Sequence, residues 1–370
     1  MAQPLSEAKS LPQPPTDGIT ALAYLPPDAT TSSSSLVAST SWDGSVRIHD
    51  THTMTLVTSH FMEAGPLLSL AVVPPPPQDS SSSSVLVTGG LDGSVRKFDS
   101  ATSTVSVMGK HTGSSSSTSD AETSAKKVGC SCLVALQGPY EGLVGSAGWD
   151  GMFHLWDSRT TTTTTTSSEA LASITLPGKA FSMDYDPTHH RIVVACAGRK
   201  MVFLDVKSNS NVENVLERES SLKYQTRTVQ FFPDGSGIAV GSIEGRVAVE
   251  FLDDLGISIK GMKKYAFKCH RDGDVVYPVN TIAFHPQYGT FATGGCDGTV
   301  VTWDGLHKKK LTTLPKFTTS VAVLAYNHDG SELAIASSYT FEEGERDHPR
   351  DEIYVRKMLE SECKPKQVSS

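Results

Sequence analysis

The sequence predicts an all-β fold made of repeated four-stranded units, and two recurring features carry that prediction. The first is a tight turn of the Asp-Gly type that leads into a short apolar strand, as at Asp43-Gly44, Asp92-Gly93 and Asp297-Gly298. The second is the end of the following strand, which reads Trp-Asp at Trp156-Asp157 and Trp303-Asp304. The turn recurs six times at intervals of about 45 to 58 residues, a period typical of β-propeller blades.

We therefore predict a single domain over residues 1-370, folded as a seven-bladed β-propeller. Each blade should contain an inner strand A, a strand B, the turn, a strand C and an outer strand D. The seventh blade has lost the turn and carries a longer charged loop from Phe341 to Asp351. We expect Pro4 to Leu11 to supply an outer strand to it. The predicted blades cover residues 17-51, 65-100, 128-158, 178-206, 226-253, 278-305 and 319-358.

Serine- and threonine-rich tracts interrupt the repeats. Such tracts are poor in apolar side chains and cannot bury a core, so we expect mobile surface loops. The insertions are predicted at 79-84, 112-124 and 160-168, with a further tract from Ser32 to Ser35 and a polyproline turn from Pro74 to Pro77.

Composition narrows the class of protein. The formal net charge is -8, which does not suggest general affinity for a nucleic-acid backbone. The first residues contain no apolar signal segment, and no apolar run is long enough to span a bilayer. Six irregularly spaced cysteines do not form a disulfide framework, which favours a reducing compartment.

Blade six contains a constellation with two interpretations: His270, Thr293, Asp297 and Trp303. A hydroxyl, an imidazole and a carboxylate resemble a catalytic triad. The same residue types also form a structural network, in which Asp accepts turn N–H bonds and orients the imidazole while the indole N–H completes the set. Incomplete versions of the set recur in other blades, with Phe98 in place of Trp and Glu244 in place of Asp. Repetition with drift favours the structural tetrad.

Two further features have functional and structural interpretations. Cys130 and Cys132 lie two apart on a strand and face one side, which is conceivable for a metal site, but no second pair exists and buried apolar thiols are favoured. The run Lys308 to Lys310 suggests a solvated turn more than a nucleic-acid patch. No phosphate-binding glycine loop occurs, and we predict no cofactor and no metal.

One face of the propeller should collect the turns between strands B and C and the connections between strand D and the next strand A. Several aromatic and basic residues fall there. Trp and Arg dominate binding hot spots, and paired cations suit an acidic or phosphorylated peptide. The alternative is that Trp42 packs against a neighbouring blade and that the cations are solvated. The set is Trp42, Lys223, Tyr224, Arg227, Arg246, Lys268 and Arg271.

The stretch from Glu217 to Asp304 resembles the Bub-three family of mitotic checkpoint WD-repeat proteins, and the similarity extends over nearly the whole chain. It reads Ser-Ile-Glu-Gly-Arg from Ser242, Tyr-Ala-Phe-Lys-Cys-His-Arg from Tyr265 and Tyr-Pro-Val-Asn from Tyr277. The Rae-one (Gle-two) propellers of mRNA export share part of this wording. The Trp42-Asp43-Gly44 turn and the Lys308 to Lys310 run favour the checkpoint branch.

The resemblance implies a non-catalytic adaptor of the spindle assembly checkpoint. The family's top face holds a GLEBS segment of the kinases Bub-one and BubR-one (Mad-three), and Trp42 and Arg227 match family contacts. The loaded propeller then reads phosphorylated Met-Glu-Leu-Thr repeats of the kinetochore scaffold through cations matching Arg246 and Lys268. Lysine keeps the charge of an arginine but lacks its bidentate fork. Lys223 and Tyr224 are assigned to the GLEBS site together with Trp42 and Arg227.

The alternatives stay open at this point. An mRNA-export propeller would bind a nucleoporin GLEBS segment, with RNA as a second candidate ligand, whereas the checkpoint adaptor would be nuclear and move to kinetochores in mitosis. An enzyme would use a blade tetrad for turnover. The checkpoint interpretation predicts a protein that is monomeric on its own and contacts neither membrane nor nucleic acid directly.

Overall fold

The computed structural model describes residues 7–27, 35–75, 84–112, 128–160, 169–252 and 264–365. Within them the chain forms seven four-stranded antiparallel sheets. The inner strand of each sheet packs against that of the next, and the seventh packs against the first. The ring therefore closes, and the predicted seven-bladed β-propeller is confirmed.

The first four blades follow one another in strict chain order from the inner to the outer strand. Blade one contains β2 to β5: Ile19–Tyr24, Leu36–Ser41, Ser45–Asp50 and Thr55–Phe61. Blade two contains β6 to β9: Leu67–Val73, Val85–Gly90, Ser94–Asp99 and Thr104–Lys110. Blade three contains β10 to β13: Cys130–Ala135, Leu143–Gly148, Met152–Asp157 and Ala172–Thr175. Blade four contains β14 to β17: Ala180–Asp186, Arg191–Cys196, Lys200–Val206 and Val212–Glu219.

The remaining blades add a hairpin and a short helix. Blade five contains β18 to β21: Thr226–Phe231, Gly237–Ser242, Arg246–Phe251 and Tyr265–Lys268. A hairpin of β22 (Arg271–Asp272) and β23 (Val275–Val276) separates it from the next blade. Blade six contains β24 to β27: Val279–Phe284, Phe291–Gly295, Val300–Asp304 and Lys309–Thr313. Blade seven contains β28 to β30: Val321–Tyr326, Glu332–Ser337 and Glu352–Lys357. The helices are the 3-10 turns Gly138–Tyr140 and Ala197–Arg199 and α1 at Glu360–Cys363.

The N-terminal segment completes blade seven, as predicted from the sequence. Strand β1 (Lys9–Ser10) pairs antiparallel with β30, so that Lys9 lies opposite Val355. The next residue, Leu11, donates its backbone N–H to Ile353 at 2.7 Å and buries its side chain in the core of blades seven and one. The strand is shorter than the predicted Pro4 to Leu11 segment, of which residues 4–6 lie outside the described part.

The apolar core is divided among clusters that lie between and within neighbouring blades rather than gathered at one centre. One cluster joins Phe153 and Leu155 of blade three to Ile192 and Val202 of blade four, and all four side chains are fully buried. Burial of this kind between neighbouring sheets supplies most of the stabilisation that holds a ring together. The faces of the ring carry turns and connections and remain available for other contacts.

Several predicted boundaries differ from the observed elements. The predicted blade ranges omit most outer strands, for example β17 at Val212–Glu219, which lies beyond the range 178-206. Outer strands face solvent and alternate between exposed and half-buried positions, so they lack the apolar run that marks an inner strand. The predicted insertions at 79-84, 112-124 and 160-168 and the tract from Ser32 lie outside the described residues, apart from their end residues, and Pro74 to Pro77 is described only in part.

Glycine is required in the Asp-Gly turns by backbone geometry. Gly44 and Gly298 have φ values of 80° and 74°, in the left-handed region that side chains disfavour. The preceding aspartate then accepts the N–H two residues on, as Asp43 does from Ser45 at 2.8 Å. The repeated dipeptide is thus a local solution for a tight connection between strands B and C.

Candidate protein-binding face

One repeated hydrogen bond defines a face of the propeller, here called the top face. In every blade the first residue after strand B donates its N–H to the carbonyl of the residue immediately before strand A, which ties the B–C turn to the D–A connection. The seven bonds are Trp42 to Gly18 (2.9 Å), Leu91 to Pro66 (2.9 Å), Trp149 to Gly129 (2.9 Å), Ala197 to Lys179 (2.8 Å), Ile243 to Gln225 (3.1 Å), Cys296 to Pro278 (3.0 Å) and Ser338 to Ser320 (2.8 Å). B–C turns and D–A connections therefore emerge on the same side.

Trp42 lies on this face at the boundary of blades one and seven. It is 40% exposed, which is unusual for the largest apolar side chain. One edge of the ring approaches Gly18, where an added Cβ would lie 3.2 Å from Trp42 Cδ1. The indole N–H forms no hydrogen bond to the described residues. A partly supported tryptophan with an open donor has the character of a binding anchor.

Arg227 lies on the inner strand of blade five rather than in the preceding connection, where the sequence placed it. It occupies a β-bulge of β18, because Thr226 pairs with Ser242 and Thr228 with Gly241. A bulge turns the extra residue away from the regular ladder. The half-buried guanidinium forms no ion pair and no hydrogen bond within the described residues, and its positive charge acts on the Cys296 thiol of blade six.

Lys223 and Tyr224 lie in the connection that leads into the same strand. Lys223 is exposed, Tyr224 is 55% exposed, and neither side chain has a hydrogen bond to the described residues. Ile243, in the adjoining B–C turn, is 40% exposed and donates its N–H to Gln225. Blade five therefore presents an apolar, aromatic and basic surface along one edge.

Arg246 and Lys268 face each other across strands C and D of blade five. They are register partners at the top ends of β20 and β21, so Arg246 begins a strand rather than lying in the turn. Like charges directly opposite on neighbouring strands are destabilising. Lys268 has no ion pair among the described residues, and the nearest anion to Arg246 is Glu244, with Oε2 3.6 Å from Nε. The pair is a ready site for an anion with several oxygen atoms.

The structure brings some of the predicted residues together and separates others. Arg271 joins the blade-five group by donating from Nη2 to the Glu244 carbonyl at 2.9 Å. Trp42 shares the top face but not the neighbourhood, since blades six and seven lie between it and blade five. A ligand that contacted both Trp42 and Arg227 would have to extend across several blades.

The tetrad residues of blade six form one continuous hydrogen-bond network. His270 Nδ1 lies 2.9 Å from Asp297 Oδ1, and its Nε2 lies 2.8 Å from Thr293 Oγ1. Trp303 Nε1 donates to the same hydroxyl at 2.9 Å. Both ring nitrogens are occupied, so the hydroxyl is a fixed link rather than a nucleophile aimed at a cleft. Burial raises the pKa of Asp297, whereas the hydrogen bonds with His270 and Thr299 lower it. The net result is a lowered pKa.

A second complete tetrad in blade three was missed from the sequence. His111 contacts Asp150 at 3.0 Å and Ser146 Oγ at 2.8 Å, and Trp156 Nε1 donates to Ser146 Oγ at 2.8 Å. From the sequence, the full set was identified in blade six alone. The signal was available in Trp156-Asp157 and the Asp150 turn, but a long insertion separates His111 from the rest of its blade in the sequence.

His154 lies beside this second tetrad and completes the one group of metal-ligand types found among the described residues. Its ring centroid is 4.8 Å from that of His111, and burial together with His111 lowers the pKa of His154 to about 4. Both nitrogens of His111 are already used within the tetrad. The arrangement is therefore a hydrogen-bonded core element rather than a set of three available metal ligands.

The cysteines and the hairpin complete the account of the candidate residues. All six cysteines are buried and free, and burial raises the pKa of the Cys132 thiol to about 12. The hairpin of β22 and β23 was also missed, although its turn contains another Asp-Gly pair at Asp272-Gly273. Val275 on this hairpin is 55% exposed and adds apolar area beside blade five.

No helix in the described ranges is long and apolar enough to cross a membrane. The closed ring of four-stranded blades and its His–Asp–hydroxyl–Trp networks define a WD-repeat β-propeller. A family model for the WD domain, G-beta repeat, matches residues 6–50 and 261–304. The fold alone does not specify a function, which has to be argued from the residues on its faces.

Comparison with known proteins gives the particular family. The chain is 40% identical over 366 residues to mitotic checkpoint protein BUB3.1 of Arabidopsis thaliana, which covers 98% of this chain and 96% of that protein. It is 36% identical over 361 residues to mitotic checkpoint protein bub3 of Dictyostelium discoideum, covering 96% of each. A poly(A)+ RNA export protein of Schizosaccharomyces pombe is 30% identical over 338 residues, which cover 90% of this chain and 84% of that protein. The chain belongs to the Bub-three family of mitotic checkpoint WD-repeat proteins, to which export propellers are related.

Proposed function

We propose that this propeller is a spindle assembly checkpoint adaptor that holds a GLEBS segment of a checkpoint kinase on its top face. The segment would contact Trp42, Lys223, Tyr224 and Arg227. The support is that these side chains are exposed or half-buried and lack polar partners among the described residues. Because blades six and seven lie between Trp42 and Arg227, the bound segment would be extended or would contain two separate contact points.

The loaded propeller would recruit Bub-one and BubR-one (Mad-three) kinases to kinetochores by reading phosphorylated Met-Glu-Leu-Thr repeats of the kinetochore scaffold. The observation that carries this proposal is the cross-strand pair of Arg246 and Lys268, whose two positive charges face each other. A phosphate dianion between them would neutralise the repulsion and accept several charge-assisted hydrogen bonds. This function requires residence in the nucleus and at mitotic kinetochores.

The decisive experiment is calorimetric titration of the protein, with a GLEBS fragment already bound, by phosphorylated and unphosphorylated Met-Glu-Leu-Thr peptides. Binding of the phosphorylated form alone supports the phosphate-reading adaptor. Binding of GLEBS without discrimination between the two peptides contradicts phosphate reading and favours the export alternative. RNA would then be the next ligand to test, with salt dependence as the readout.

A variant localises the phosphate contact. Arg246→Ala should weaken phosphopeptide binding by at least about tenfold and leave GLEBS binding unchanged, since a charge-assisted pair contributes about 1.5 kcal/mol or more. The matched control is Lys309→Ala, which removes an exposed cation from the outer strand of blade six. Loss of both ligands in Arg246→Ala would mean that the two sites are not separate.

A further inference from the structure

Blade five differs from the other blades in the acid of its B–C turn. Blades one, two, three and six place an aspartate there, and each of those carboxylates has partners. Asp43 accepts from Thr16, Asp92 from Arg96, Asp150 contacts His111 and Asp297 contacts His270. Blade five carries Glu244 at this position. The extra methylene group carries the carboxylate past the turn toward the guanidinium two residues on.

The carboxylate of Glu244 is poorly satisfied where it lies. Its side chain is 15% exposed, and Oε1 is buried with no hydrogen-bond partner among the described residues. Oε2 is 3.6 Å from Arg246 Nε, which is close enough for electrostatic attraction but too long for a hydrogen bond. A buried, unpaired carboxylate oxygen is costly, and native proteins keep few of them.

The surroundings of Glu244 contain more positive than negative charge. Arg246 and Lys268 are register partners, and Arg271 reaches the same turn through the Glu244 carbonyl. Lys268 and the terminal nitrogens of Arg246 have no hydrogen-bond partner within the described residues. Glu244 is therefore the counter-charge of a cation pair that still has donors available.

We propose that Glu244 is a built-in counter-ion that lowers the affinity of the Arg246–Lys268 site for anions and keeps the binding of doubly charged phosphate weak and reversible. In the free protein it offsets part of the repulsion between the two cations. A bound anion adds its own charge beside that of Glu244, so the opposing effect of Glu244 grows with the charge of the anion and is largest for a phosphate dianion. This inference rests on the proposed phosphopeptide function, and it assigns an affinity-setting role to a residue that does not contact phosphate.

Charge scaling gives the inference a specific signature. Glu244→Gln removes the negative charge with little change in shape, so the gain in affinity should increase with the charge of the ligand. A phosphothreonine peptide, which is almost fully dianionic at pH 7.5, should bind about fivefold more tightly to the variant. The same peptide with glutamate in place of phosphothreonine should gain about twofold, and the unphosphorylated threonine peptide should not change.

Two further variants separate charge from shape and from net charge. Glu244→Asp restores the residue of the other turns and keeps the charge, so its affinity for phosphopeptide should stay within about twofold of the wild type. Glu360→Gln removes one exposed carboxylate in α1, on the opposite face, and should leave all three affinities unchanged. Thermal unfolding of each variant checks that the propeller is intact.

The experiment is calorimetry of the full chain, with the GLEBS fragment bound, against the three peptides. A graded gain in Glu244→Gln supports the inference. The inference is overturned, and the proposed function is not, if the wild type prefers the phosphopeptide and the Glu244→Gln variant binds it equally or more weakly. Weaker binding by the variant would mean that Glu244 positions Arg246 for binding. Failure of both proteins to distinguish phosphorylated from unphosphorylated peptide overturns the proposed function and the inference with it.

Discussion

Blades five and six use the same backbone position in different ways. In blade six, Asp297 lies in the B–C turn with His270 and Thr299 as partners, and its network continues through Thr293 to Trp303. In blade five the corresponding Glu244 has one oxygen without a partner in the described part of the chain. The two blades are neighbours with the same strand order, so the difference lies in side-chain chemistry rather than in fold.

Under the proposed function, the contrast means that the ring separates its structural turns from its binding turns. A satisfied His–Asp pair fixes the turn and connects it to the preceding D–A loop, which stabilises the closed ring. A turn with uncompensated charge adds little stability but leaves donors and acceptors for a ligand. Blades three and six have complete tetrads, while blade five carries the register pair of Arg246 and Lys268, and Lys268 has no ion pair among the described residues.

The largest effect should come from breaking the satisfied turn. Asp297→Ala removes the partner of a buried imidazole and the acceptor of the Thr299 N–H, so it should lower the free energy of unfolding by about 3 kcal/mol. Urea unfolding followed by tryptophan fluorescence measures this loss.

The matched change in the other turn is Glu244→Ala, which should alter the free energy of unfolding by less than about 1 kcal/mol because no hydrogen bond is lost. Equal destabilisation by the two substitutions would contradict the distinction between structural and binding turns. An Asp297→Ala variant that stays fully stable would show that the tetrad of blade six is dispensable.

A second comparison concerns two tryptophans. Trp303 is half-buried, donates to Thr293 and packs on Phe267 with ring centroids 4.5 Å apart, whereas Trp42 is exposed and its indole N–H has no partner among the described residues. Trp42→Ala should therefore lower GLEBS affinity by about 2 kcal/mol, as expected for a hot spot, with little change in thermal midpoint. Calorimetry and thermal unfolding together test both halves of this expectation.

Trp149→Ala provides the matched control, because Trp149 occupies the same turn position in blade three and forms the same backbone hydrogen bond. Its side chain is less exposed and lies against Gly129, so its loss should affect stability more than GLEBS affinity. A Trp42→Ala variant that binds GLEBS normally but melts early would make Trp42 a packing residue.

Much of the fold was predictable because it follows from local sequence patterns. The Asp-Gly turns and the apolar inner strands repeat, and each repeat specifies the same short-range geometry. An outer strand was expected in each blade, but its position was not predicted, because outer strands face solvent and carry mixed side chains, as in β17. The second tetrad was missed because His111 is separated from Asp150 by an insertion, and only the folded ring brings the two together.

The candidate site was predictable in residue type but not in arrangement. The sequence placed Trp42, Arg227, Arg246 and Lys268 on one face from the order of strands alone. It could not give the cross-strand register of Arg246 and Lys268 or the bulge at Arg227, since both depend on the exact alignment of neighbouring strands. The unsatisfied oxygen of Glu244 depends on three-dimensional surroundings and had no sequence signal beyond Glu in place of Asp.

The smallest expected effect is a pH dependence that belongs to blade six. Burial raises the pKa of Asp297, and hydrogen bonds from His270 and Thr299 lower it. The net pKa is lower in the folded protein than in the unfolded chain. The folded state therefore holds fewer protons on this group than the unfolded state just below the usual aspartate pKa. Its stabilisation is complete above about pH 4 and is lost as the pH falls through the folded pKa.

Asp297→Asn removes this titration while keeping an oxygen acceptor and the shape of the turn. The free energy of unfolding of the wild type should fall more steeply below about pH 4 than that of Asp297→Asn, so the two curves converge in acid. Urea titrations at a series of pH values measure the convergence. Parallel curves for Asp297→Asn would mean that the hydrogen bonds to Asp297 do not depend on its charge, and the contrast between the two turns would then rest on geometry alone.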